Sequence, residues 1–144
     1  MKLINLFLFL FLLGCVSCKS PEENIPNESI QIIPLPNSYE LKPGSFCMTG
    51  QTTIGIDTSD PAMVALAEYF NEKTSDATGF SLPIGDSGTI VFQLGDYKEL
   101  GEEGYQLSVS SGKLVLSAYR HHGIFNGIQS VLQLLPPEIK SKTV

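Results

Sequence analysis

Two stretches of this chain place apolar residues at helical spacing, and the runs around them alternate. That combination restricts the fold to a sheet with helices laid against it. In "SDPAMVALAEYFNEKTSDATG", Met63, Leu66, Ala67 and Phe70 recur at the spacing of one helix face. Asp60 is placed to cap this helix, Pro61 suits its first position and Gly79 its end. The second helix runs from about His121 to Leu135, with Ile124, Ile128, Val131, Leu132 and Leu135 on one face and Pro136-Pro137 to stop it. Before the first helix, "IIPLP", "SYEL", "SFCM" and "TTIGID" read as short strands, with Lys42-Pro43-Gly44 as a turn. Between the helices lie "TIVFQL" (89–94), "GYQLSV" (104–109) and "KLVLSAY" (113–119). Ser110-Ser111-Gly112 joins the last two as a hairpin, and Tyr105, Leu107 and Val109 alternate with Gln106 and Ser108 as on a sheet with one covered face. The expected fold class is α+β: a mostly antiparallel or mixed β-sheet with two amphipathic helices packed on one face, over residues 32–137.

The chain opens with a different kind of segment. One lysine precedes an apolar run from Leu3 to Leu13, followed by small residues. A membrane-spanning helix needs about 20 apolar residues, so residues 1–17 read as a secretory signal. Leu12-Leu13-Gly14-Cys15 resembles the lipobox of bacterial lipoproteins, with Cys15 as the acylated residue and Cys18, after Val16-Ser17, as the alternative acceptor. Two or three acyl chains would hold a protein on a membrane far better than one. The expectation is an exported, lipid-anchored protein of the bacterial cell envelope, periplasmic or surface-facing. Residues 18–31, polar and proline-bearing, form a flexible tether. Cleavage removes Lys2 and takes the formal charge from −6 to −7, one positive charge being lost. An acidic body argues against nucleic-acid partners, which need basic patches.

The candidate chemical groups are few. Cys47, within the apolar pattern of "SFCMTG", reads as a buried, inert thiol. His121 and His122 are adjacent, so their rings diverge by about 100° around a helix, unlike the His-x-x-x-His spacing of a helical metal site. With no third ligand nearby in sequence, they read with Arg120 as a polar lip whose replacement would cost little, and no metal or other cofactor is expected. Glu102-Glu103, in "LGEEGY", sits in a loop, where neighbouring carboxylates are poorly placed to face each other across a sugar, and reads as solvated acidity. The glycine patterns "GDSG" and "GEEG" are turns and not phosphate loops. No catalytic residue is assigned.

"EEGYQLSVSSGKLVLSAYRHHGIFNGIQSVLQLLP", together with "IIPLPNSYEL", resembles the N-terminal accessory domain of bacterial β-N-acetylhexosaminidases of glycoside hydrolase family 20. The matching elements are the opening Pro34-Leu35-Pro36, the strand Glu103-Gly104-Tyr105-Gln106-Leu107, the turn Ala118 to Gly123 and the helix Gly127 to Leu135. The resemblance implies a hydrolase that removes terminal N-acetylglucosamine or N-acetylgalactosamine from glycans by a retaining mechanism assisted by the substrate's own acetamide. It also implies a (β/α)₈ catalytic domain, of about 250 residues, as partner. Residues 138–144 would begin the linker to that barrel, the glycan substrate would be engaged through it, and this chain alone would be inactive. A different reading is a stand-alone lipoprotein that binds glycans, using Tyr39, Tyr97, Tyr105 and Tyr119 in the absence of tryptophan.

Overall fold

A computed structural model describes residues 30–136. The signal, the candidate lipid sites Cys15 and Cys18, most of the tether and the start of the linker lie outside the described residues. Five strands form one mixed sheet: β1 (Ile54–Gly55), β2 (Ile84–Gly85), β3 (Ile90–Leu94), β4 (Tyr105–Val109) and β5 (Leu114–Ala118). Their spatial order is β2-β1-β3-β5-β4. The first four of these are mutually parallel, and β4 alone runs antiparallel, paired with β5 in register Tyr105↔Ala118 to Val109↔Leu114. The hairpin is closed by Ser110, whose N–H and hydroxyl both reach the Lys113 carbonyl. Parallel neighbours require a crossover, and helix α1 (Pro61–Thr78) supplies one between β1 and β2.

Each helix has local causes. Asp60, in extended conformation, accepts from the N–H groups of Ala62 (2.9 Å) and Met63 (3.4 Å), Pro61 occupies the first turn, and Gly79 at φ 75° closes the end with its N–H on the Ser75 carbonyl. Met63, Ala67 and Phe70 are buried, and Thr74 continues the stripe with its hydroxyl satisfied by the Phe70 carbonyl at 2.9 Å. Helix α2 (His121–Leu134) has no side-chain cap and ends before the two prolines. Its buried stripe is Ile124, Ile128 and Val131, while Leu132 and Leu135 are only partly covered. The stripe is thus narrower than the helical spacing suggests.

Both helices pack into one core with the inward strand residues Ile54, Ile56, Ile90, Phe92, Leu114, Leu116 and Ala118. Phe70 meets Phe92 edge to face at 5.5 Å. Two glycines set how closely α2 lies on the hairpin. A methyl on Gly123 would stand 2.2 Å from the Gly104 carbonyl oxygen, and one on Gly127 would stand 2.1 Å from Leu116 Cδ1. A side chain at Gly123 would push the helix off the backbone of the sheet edge, and one at Gly127 would displace Leu116 or the helix.

Three expectations need correction. "IIPLP", "SYEL" and "SFCM" form no strand, because Pro34 and Pro36 lack an N–H and the segment finds no ladder partner among the described residues. β2 is an additional strand, formed where Ile54 and Ile56 donate to the carbonyls of Pro83 and Gly85 at 2.8 and 2.9 Å. Cys47 is exposed: Phe46 and Met48 pack toward the core, so the residue between them points outward.

Candidate functional site

Several polar side chains meet at one corner, where the carboxyl ends of the parallel strands β1 and β5 lead into the N-termini of the two helices. A cleft of about 440 Å³ opens there, lined by Gly55, Asp57, Asp60, Asp86, Gln93 and Leu94 among others. Its carboxylates are already engaged. Asp57 accepts from the backbone N–H (3.0 Å) and hydroxyl (2.6 Å) of Ser59, and Asp86 accepts from the Thr58 hydroxyl. Asp60 caps α1 and also accepts from His121 Nε2 at 2.7 Å.

This last contact changes the reading of the histidine pair. His121 does not stand idle on a polar lip: it ties the first turn of α2 to the cap of α1, across 61 positions of sequence. His122 is exposed, as expected of a residue at the diverging position. The hydrogen bond from His121, helped by the N–H groups of Ala62 and Met63 and opposed by partial desolvation, holds the Asp60 carboxyl below its ordinary range. Asp60 thus serves at once as the cap of α1 and as the acceptor that fixes the first turn of α2. Among the described residues, no group of three or more His, Cys, Asp or Glu side chains could hold a metal ion.

Glu102 and Glu103 lie exposed in the turn before β4. Glu103 contributes its carbonyl, which accepts from the Asn126 side chain at 3.0 Å. Helix α2 makes a series of such ties. Ser130 meets the Tyr105 hydroxyl, Gln129 donates to Tyr69 at 3.2 Å, and the Gln133 amide holds the Ile33 backbone from both sides, accepting its N–H (2.9 Å) and donating to its carbonyl (3.1 Å). The sequence stretch that names the family is therefore the stretch that organises the domain. The Gln133 clamp spans 100 positions and left no local signal in the sequence.

Known proteins agree with this architecture. The family described as "Glycosyl hydrolase family 20, domain 2" matches residues 29–144. This chain belongs to glycoside hydrolase family 20, as its accessory domain. It is 31% identical over 137 residues to a beta-hexosaminidase of Porphyromonas gingivalis, across 90% of this chain and 18% of that protein. Among solved structures it is similar to the N-acetyl-beta-hexosaminidase of Streptomyces plicatus, at 30% identity and a TM-score of 0.69, over 75% of this chain and 22% of that one. The β-N-acetylhexosaminidase of Streptomyces coelicolor A3(2) gives the same identity and TM-score. The chain spans about a fifth of the length of these relatives.

Proposed function

We propose that this chain is the non-catalytic N-terminal domain of a secreted β-N-acetylhexosaminidase that trims terminal N-acetylglucosamine or N-acetylgalactosamine from glycans. The observation that carries the reading is the family match across residues 29–144; Gly104, Gly123 and Gly127, which carry the sequence resemblance, all sit where a side chain has no room. In the reaction that the family implies, the substrate's acetamido oxygen attacks the anomeric carbon while an Asp orients the acetamide and a Glu protonates the leaving oxygen. An oxazolinium intermediate then yields to water, with retention. In that scheme both acids belong to the (β/α)₈ catalytic domain and not to the domain that residues 29–144 match. The task left to the present domain is to support that barrel. Export through residues 1–17 and acylation at Cys15, or at Cys18, would hold the enzyme at the cell envelope, facing extracellular or periplasmic glycans.

A chromogenic N-acetylglucosaminide tests the assignment. The 144-residue chain is expected to release no chromophore above buffer, and the same chain joined to its downstream catalytic domain is expected to do so. Activity in the short chain that is lost on replacing Glu102 or Glu103 would overturn the assignment. Mass spectrometry of the native N-terminus tests the anchor: a diacylglyceryl-modified Cys15 is expected, and an unmodified terminus beginning after Cys18 contradicts it.

A further inference from the structure

We propose that the cleft beside β3 binds an extended cationic peptide from a separate polypeptide, which adds a short strand to the open end of β3.

Strand β3 outruns its neighbour on one side. Along β5 it is paired over its whole length, from Ile90↔Leu114 to Leu94↔Ala118, and the Gly95 N–H continues that ladder onto the Ala118 carbonyl at 3.1 Å. Along β1 it is paired only at Ile90 and Val91. Alternate residues of a strand turn their backbone groups to opposite neighbours. Ile90 donates to the Thr53 carbonyl on the β1 side at 3.0 Å and Gly95 donates to β5, so Phe92 and Leu94 turn theirs toward β1. There β1 has already left: Ile56 donates to the Gly85 carbonyl beside β2 at 2.9 Å, and the chain turns at Asp57, whose carbonyl accepts from Asp60, to enter α1. The Phe92 carbonyl and the Leu94 N–H therefore have no ladder partner among the described residues. They open onto the cleft of about 440 Å³, where Met63, Phe92 and Leu94 supply apolar lining.

Free main-chain groups at a strand edge bind another main chain, with alternate side chains sorted to the two faces. Three residues of β3 run about 10 Å, room for a peptide segment of the same length. The charge of that occupant follows from the rim. Asp57 and Asp86 are exposed, and their donors are the neutral groups of Ser59 and Thr58. Among the described residues no cation pairs with either carboxylate, the ion pair at this corner being His121 with Asp60. Neutral donors leave both negative charges uncompensated, and a lysine or arginine side chain on the added strand meets them. A second copy of this chain, of formal charge −6, is repelled by the same rim.

The test titrates the full-length protein, at low salt, against a fluorescein-capped Lys-Val-Lys-Val-Lys amide and reads anisotropy. Saturable binding is expected, and the Glu-Val-Glu-Val-Glu counterpart should not bind. Asp57→Asn with Asp86→Asn should weaken binding about tenfold. Because those substitutions also alter the bonds to Ser59 and Thr58, the backbone pairing is tested on the peptide instead. Methylating the backbone nitrogens of the valines, or those of the lysines, should cost about tenfold in one of the two peptides and much less in the other, since only one set faces β3. Equal binding of the parent and both methylated peptides would reveal charge attraction without a strand and overturn the proposal. Binding that the double variant leaves unchanged would overturn it as well, and so would no binding at all. Hydrolysis of the chromogenic substrate by the same samples is independent of these outcomes, and its loss would count against the functional reading alone.

Discussion

Between Tyr105 and Leu134 the chain is held by closed ladders and contact at the limit of backbone approach. Strand β5 is paired on both sides, and α2 lies on it so closely that Gly123 and Gly127 have no room for a methyl group. Between Ile32 and Met48 the chain is held by one buried isoleucine, one glutamine clamp and the half-buried Phe46 and Met48, with no ladder. Both regions alternate apolar and polar residues. The difference shows that alternation marks a surface suited to a sheet, and that only a partner with free N–H and carbonyl groups turns it into a strand.

The contrast predicts a graded response to substitution. Ile124→Ala empties a site with no exposure, beneath α2, and is expected to cost about 2 to 5 kcal/mol in denaturant unfolding. Gly127→Ala forces Leu116 or the helix to move and is expected to cost about 1 to 3 kcal/mol by the same measurement. Leu41→Ser, in the poorly tied region, should stay within about 0.5 kcal/mol of the parent. A cost at Leu41 equal to that at Ile124 would erase the distinction.

A pH effect sharpens the same comparison, since the Asp60–His121 tie fastens the well-packed region, at the start of α2, to the cap of α1. The Asp60 carboxyl is lowered from 3.8 in the folded state, so the unfolded chain takes up a proton first as the solution is acidified. The stabilisation is therefore complete above that ordinary value and is lost as pH falls through the lower, folded one. Acid unfolding followed by circular dichroism should show this loss in the parent, and Asp60→Asn should shrink it. An identical acid limb in the variant would show that the tie contributes nothing.

Much of the fold was legible because its causes are local. Asp60-Pro61 and Gly79 marked the ends of α1, Ser110-Ser111-Gly112 marked the hairpin, and Gly123 and Gly127 marked the close approach of α2. Glu102-Glu103 was legible as a turn for the same reason. The two-residue β2 was not, since so short a run carries no period. Cys47 was misplaced because its neighbours Phe46 and Met48 announce burial without saying which face is theirs. The Asp60–His121 and Gln133–Ile33 ties join residues 61 and 100 positions apart, and no pattern within one segment reveals its distant partner.

Native-state hydrogen exchange of the 144-residue chain tests the central contrast most directly. Amides of β3, β5 and the middle of α2 should exchange only through global unfolding, while those of residues 38–48 should exchange near the rate of free peptide. Protection across residues 38–48 equal to that of β5 would reveal a ladder there and contradict the account.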